Sequence, residues 1–172
     1  MQEKRSFRRQ EKMTVKLTER MQAWIEAMGC HLCVATPRGV PYVTLGRFAS
    51  VTADDEVAFA LAQDEYAIIS PALTANPWVA FGVSKQGGIR ASFQFKGIGR
   101  VVTEGPLFTG IAAEAKEAQG IDTYAVVYVK ISEIYCTKPG AEAGQRLDMM
   151  RPDEVCEWEK KRWQDIPRKK TK

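Results

Sequence analysis

Four groups of residues in this chain have types and spacings that could support chemistry. Cys30 and Cys33 form a Cys-x-x-Cys around His31. Such a pair can hold a metal or cycle between thiol and disulfide, but the local geometry argues against both. A strand begins at this point, and on a strand residues three apart face opposite ways. Redox pairs of this spacing usually open a helix, where the dipole lowers a thiol pKa. His31 is the chain's only histidine, so no second imidazole can join it at a metal. Both thiols read as small buried hydrophobes. The second group, Asp54-Asp55-Glu56, is the one dense acidic run and reads as a solvated hairpin turn. The third, Gly97-Ile98-Gly99, is too short for a dinucleotide loop and lies inside a strand rather than before a helix. It marks either a sharp corner or a close approach by a ligand. The fourth is the crossover 62–77, where a helix N-terminus beside a sheet is a ready anion site. No P-loop, Ser-His-Asp set or metal-ligand cluster is readable. Any catalysis would then draw its reactivity from a bound cofactor.

These residues need a scaffold, and the pattern supplies one. β-rich segments at 30–36, 41–51, 57–61, 78–84, 92–103 and 124–135 are separated by Gly, Pro and Asp turns, which suggests an antiparallel sandwich or barrel. Pro37-Arg38-Gly39 joins the first two, and Lys85-Gln86-Gly87-Gly88 the fourth and fifth. A helix is expected over 18–28, with Thr18 as N-cap and Met21, Trp24, Ile25 and Met28 on one apolar face. Gly29 stops it. In the crossover Asp64 can cap a short helix, and Pro71 should open a second turn or kink the first. Pro106 opens a helix to about Gln119 with Leu107, Phe108, Ile111, Ala112 and Ala115 apolar. A last short helix is expected over 153–163, and its Trp158 and Trp163 should cover this domain or a second subunit.

The 172 residues suit one domain with flanking segments: a basic arm at 1–13, the sheet domain at 14–136, and an extension at 137–172 with a short helix and basic tail. No apolar run approaches the ~20 residues of a membrane span, and no signal peptide is readable, so a cytoplasmic location is the expectation. The net charge of +4 gathers at the two ends. No aromatic residues interleave with those charges as a stacking platform requires, which argues against a nucleic-acid partner.

The helix is followed by Ala35-Thr-Pro-Arg-Gly-Val-Pro-Tyr-Val-Thr44, an acidic turn and a strand. A crossover ending Ala75-Asn-Pro-Trp-Val-Ala80 leads on to Phe95-Lys-Gly-Ile-Gly-Arg-Val-Val-Thr-Glu-Gly-Pro106. In this order and spacing the chain resembles the pyridoxamine 5′-phosphate oxidase-like family of FMN-binding split barrels. Within it the chain looks most like the small FMN-binding proteins of anaerobic bacteria. The resemblance spans about residues 18–135. It implies a mainly β fold with flanking helices, a six-stranded Greek-key split β-barrel of the FMN-binding type. It also implies a homodimer with flavin at the subunit interface, and the sheet with Trp24, Trp158 and Trp163 offers more apolar surface than one barrel hides. By the same resemblance Thr44, Leu45 and Gly46 would face the flavin ring and Arg47 its phosphate. Ser84, Lys85 and Gln86 match another flavin-contacting segment. Relatives carry Lys or Arg at the start of the crossover helix; this chain has Ala67-Ile68-Ile69-Ser70, where only Ser70 offers a hydroxyl. The implied function is a flavin-dependent oxidoreductase or electron carrier with a small-molecule or protein electron partner. No residue is assigned as catalytic and none as a metal ligand. The alternative is a non-enzymatic split barrel that binds haem, a deazaflavin or no cofactor.

Overall fold

The computed structural model describes residues 15–84, 92–138 and 141–162. Seven strands form one antiparallel sheet: β1 (Cys30–Ala35), β2 (Pro41–Gly46), β3 (Phe48–Ala53), β4 (Glu56–Leu61), β5 (Trp78–Ser84), β6 (Ser92–Val102) and β7 (Ala125–Cys136). Their order is β2-β1-β5-β6-β7-β4-β3. Six strands were expected because 41–51 reads as one. The structure divides that stretch at Arg47: residues up to Gly46 pair with β1, and residues from Phe48 pair with β4. The two halves of one stretch thus lie at opposite edges of the sheet, separated by a single residue. A flat sheet cannot satisfy this, so the sheet must curl until its edges meet at Arg47.

The interior is aromatic and aliphatic. Phe59 meets Phe81 edge-on at 5.1 Å and Phe81 stacks on Phe95 at 4.9 Å, all three fully buried. Rings at such separations add to the area they remove from water. Helix α1 (Glu19–Met28) lays Met21, Trp24 and Ile25 on this core, with Thr18 accepting from the Met21 N–H as N-cap. Helix α2 (Gln63–Ala75) crosses from β4 to β5 as one helix with Pro71 inside it, so of the two expectations for that proline a separate second turn is not what forms. Helix α3 (Pro106–Gln119) covers the other face of β4 and β7, where Ile111 and Ala115 meet Ala58, Ala60 and Val126.

Helix α4 (Pro152–Arg162) settles where its tryptophan goes: Trp158, 7% exposed, joins the core of its own chain, as does Trp24 at 4%. Neither is left over for a second subunit, which removes that part of the argument for a dimer. Trp163 lies outside the described residues. Beside Trp158, Glu159 is buried against α1 and accepts from the Thr18 hydroxyl at 2.8 Å. Burial raises its carboxyl above the usual range, and Thr18 and then Arg20 offset this only in part. The folded chain therefore holds that proton to higher pH than the unfolded chain does. The stabilisation is full below the unfolded value and is lost as pH rises through the raised one. Glu159→Gln, which keeps the acceptor oxygen, should be more stable than wild type at neutral pH, with the advantage vanishing in acid. Urea denaturation at both pH values reads this difference.

The two glycines of β6 are explained by packing. A Cβ on Gly97 would stand 2.2 Å from the Lys130 carbonyl oxygen, at a bulge in the β6–β7 register. One on Gly99 would meet the Val79 side chain at 2.4 Å. Of the two readings of this pair, the corner is the one the packing supports.

Candidate functional site

Alternation along β2 sorts its residues. Thr44 and Gly46 face inward, while Val43 and Leu45 face out and are 57% and 50% exposed. Cross-strand pairing extends this outer surface. Val43 stands opposite Cys33, which stands opposite Ala80; Leu45 stands opposite His31, which stands opposite Gly82. Trp78 and Ile98, a further pair, are also close to half exposed. The outer face over β2, β1, β5 and part of β6 is therefore an apolar surface that no helix of the described residues covers. At its edge comes Arg47, exposed and without an ion pair or hydrogen bond among the described residues.

The other expected site residues divide. The Thr44 hydroxyl is turned inward and donates at 2.7 Å to Glu65, a buried carboxylate on α2. Glu65 also accepts the Ala62 N–H at 2.9 Å. Thr44 thus ties β2 to the start of α2, and its hydroxyl proton is already committed. The side of Gly46 where a Cβ would stand is filled by Phe59, 2.8 Å away, so its missing side chain serves the core. Ser70 is not at the helix start: α2 begins seven residues earlier at Gln63, capped by Ala62 rather than Asp64. Ser84 ends β5 with its backbone paired to Ser92, and its side chain lies outside the description. Lys85 and Gln86 lie outside the described residues.

Electrostatics separates the two places where an anion was expected. The first turn of α2 carries Asp64 and Glu65, and Glu65 already satisfies a free amide of that end. Two carboxylates there oppose a phosphate that the helix dipole alone would favour. The groove between α1, β3 and α3, about 560 Å³, is lined by Glu26, Glu114 and Glu117 and is likewise unsuited to an anion. Arg47 is paired with no carboxylate among the described residues. The acidic run is neutralised from other elements: Lys16 pairs with Asp54 at 2.8 Å, and Lys130 with Asp55 and Glu56 at 2.8 and 3.0 Å. Cys30 points into the core, where burial pushes its thiol up to about 12, while Cys33 faces out, as the period of two requires. A thiol so held is inert as a nucleophile.

One residue of this surface was missed by sequence reasoning. His31 was weighed only as a metal ligand, yet it stands exposed beside Leu45 on the same face. The hairpin turn at 37–39 carried the signal, because a short turn sets which residues of β1 and β2 lie opposite.

The described residues fit a ligand with a flat apolar body and one anionic group. Val43 and Leu45 would lie against the body and Arg47 would take the anion through its planar fork of N–H donors. FMN has both parts. No family model and no curated protein matches the sequence. Solved structures do match in shape. The HupZ protein of Group A Streptococcus superposes with a TM-score of 0.64 at 17% identity, over 74% of this chain and 99% of that one. A candidate pyridoxamine 5′-phosphate oxidase of Lactobacillus delbrueckii gives 0.58 at 15% identity, over 71% and 95%. An FMN-binding protein of Syntrophomonas wolfei gives 0.56 at 15% identity, over 70% and 85%. At these identities the likeness is one of fold. The chain has the split-barrel fold of the pyridoxamine 5′-phosphate oxidase-like proteins. Among the described residues no helix is long and apolar enough to cross a membrane.

Proposed function

We propose that this protein is an FMN-binding redox protein, an oxidoreductase or electron carrier. Its flavin would lie against β2 in a cleft shared by two copies of the chain. The observation that carries the reading is the exposed apolar pair Val43 and Leu45 running into Arg47, which has no ion pair among the described residues, where the sheet edges meet. The S. wolfei likeness supports it, since a protein of that fold is named for FMN binding. Bound FMN would supply hydride or single-electron chemistry. The chain's own residues would orient it: Arg47 holding the phosphate, Leu45 and the β2 backbone flanking the ring, and Glu65 fixing β2 through Thr44. Val43, Leu45, Trp78 and Ile98 are large apolar side chains left exposed on one face, and apolar patches of this kind mark interaction sites, which supports a homodimer formed through it. Counting β2 and β3 as one bent strand keeps the six strands of the implied Greek-key barrel. A cytoplasmic location and a small-molecule or protein electron partner complete the proposal.

A second reading has its own support. The start of α2 lacks a cation and carries carboxylates, which favours a split barrel that binds haem, a deazaflavin or nothing. One experiment separates the two. Protein purified without added cofactor should show twin flavin bands, and sedimentation velocity followed in those bands should find the colour on a dimer. A Soret band would replace FMN with haem. Colourless protein that ignores added FMN would overturn the first reading, and colour on a monomer would overturn the shared cleft.

A further inference from the structure

The outer face also holds a cleft of about 180 Å³ over β1, β5 and β6, lined by His31, Gly82, Ser92, Gln94 and Thr137. One row of cross-strand pairs explains its shape. Leu45 lies opposite His31, His31 opposite Gly82, and Gly82 opposite Gln94. Gly82 has no side chain, so a gap opens between the imidazole and the amide. At one end the Ser92 and Thr137 hydroxyls lie 2.5 Å apart and share one hydrogen bond. Two hydroxyls carry two protons, so one remains for a ligand. An imidazole, an amide and a hydroxyl, each able to donate, thus border a small space that no carboxylate of the described residues lines. Lys96, two residues along β6 from Gln94, places its ammonium 4.5 Å from the centroid of the Tyr135 ring, and Tyr135 is the residue paired with Gln94. Glu133, a carboxylate near this cleft, is engaged by the Tyr135 hydroxyl at 2.9 Å and by Arg146 at 3.6 Å.

We propose that this cleft binds a small oxyanion, a carboxylate or phosphate group. Groups that can donate, with no carboxylate among the described lining residues, are what such a group needs, since each of its oxygens accepts and none donates. The inference stands apart from the identity of any cofactor. The oxyanion has two possible sources: the phosphate of a nucleotide cofactor lying along the row from Leu45, or the acidic group of a separate small substrate.

The test uses the chain's single imidazole, whose ring-proton NMR signals need no assignment by elimination. Flavin-free protein is titrated with inorganic phosphate and with acetate at constant pH and ionic strength, chloride serving as the control. At least one of the two anions should shift the His31 signals saturably, and chloride should not. Gln94→Leu and Thr137→Val should each weaken that binding by roughly ten- to a hundredfold, the loss expected for one hydrogen bond to a charged group. Repeating the titration with FMN or riboflavin present distinguishes the sources. Loss of the anion shift with FMN but not riboflavin assigns the cleft to the cofactor's phosphate; persistence with both assigns it to a separate ligand. The proposal is overturned if neither anion gives a saturable shift. It is equally overturned if both variants keep the wild-type near-ultraviolet circular dichroism and bind as tightly as wild type.

Discussion

Gly97→Ala is expected to lower the stability of this protein by roughly 3 kcal/mol or more, the upper end of what overpacking costs. The added methyl would lie 2.2 Å from the Lys130 carbonyl oxygen, 2.8 Å from its carbon and 2.9 Å from the Ile131 Cα. All three are backbone atoms, so no side chain can swing aside; β7 itself must move. β7 lies between β6 and β4, and the β6–β7 register already shifts at Lys96 and Gly97. With a domain's stability near 5–15 kcal/mol, one methyl would remove a large share of it. For a chain of this size the melting temperature should fall by roughly 6–12 °C. Gly110→Ala is the matched control, because nothing lies within 4 Å of its Cβ position and it sits inside α3. That change should stabilise by about 0.5–1 kcal/mol, the helix propensity difference. Thermal and urea denaturation of both variants measure the contrast. A Gly97→Ala protein within about 1 kcal/mol of wild type would mean that the bulge absorbs the methyl, and the packing account of this glycine would fail.

The second large effect falls on ligand binding. Arg47→Ala should weaken FMN by roughly ten- to a hundredfold, the worth of one charge-assisted contact of ~1.5–3 kcal/mol. Riboflavin, which has no phosphate, should be little affected. Arg47 is exposed and unpaired among the described residues, so its removal leaves no buried partner stranded and the fold should be untouched. Arg47→Lys should rescue only part of the loss, since an ammonium lacks the planar fork. Fluorescence titrations of both ligands against wild type and the two variants decide it. Equal weakening of FMN and riboflavin would place Arg47 at the ring or in folding. No change in either would return it to an ordinary surface arginine, and the phosphate would then belong elsewhere, the His31 cleft being one candidate on the same face.

Much of the fold was legible because it is local. The Met21–Trp24–Ile25 face, the Thr18 cap and the Gly29 stop of α1 follow from helix period and capping, and each holds in the structure. Pro106 opens α3 and β5 spans Trp78–Ser84 for equally local reasons. Period two alone assigned Cys30 and Cys33 to opposite faces, which is where the structure places them. The candidate segment Thr44–Arg47 came only from the resemblance to the flavin-binding split barrels, not from any local pattern.

What the sequence could not determine depends on which strands meet. The stretch 41–51 reads as one strand by alternation, but its two halves find different neighbours, and only the curling of the sheet breaks it at Arg47. Helix α2 continues through Pro71 rather than restarting there, with Ile69, Ala72 and Leu73 on either side of it buried in the core. Glu65 looks like any first-turn carboxylate until tertiary contact sets the Thr44 hydroxyl against it, 21 residues away in the chain. The destination of Trp158 and the space behind Gly97 are likewise long-range facts: an apolar ring records that it must be buried, not by what. His31 is the clearest case. Its own neighbours in sequence describe an isolated histidine on a strand, whereas pairing with β2 and β5 places it between Leu45 and a glycine gap. Helix caps and side-chain period act over a few residues and are written locally. A binding surface on a curled sheet is assembled from strands far apart in the chain, so only the fold decides which side chains share it.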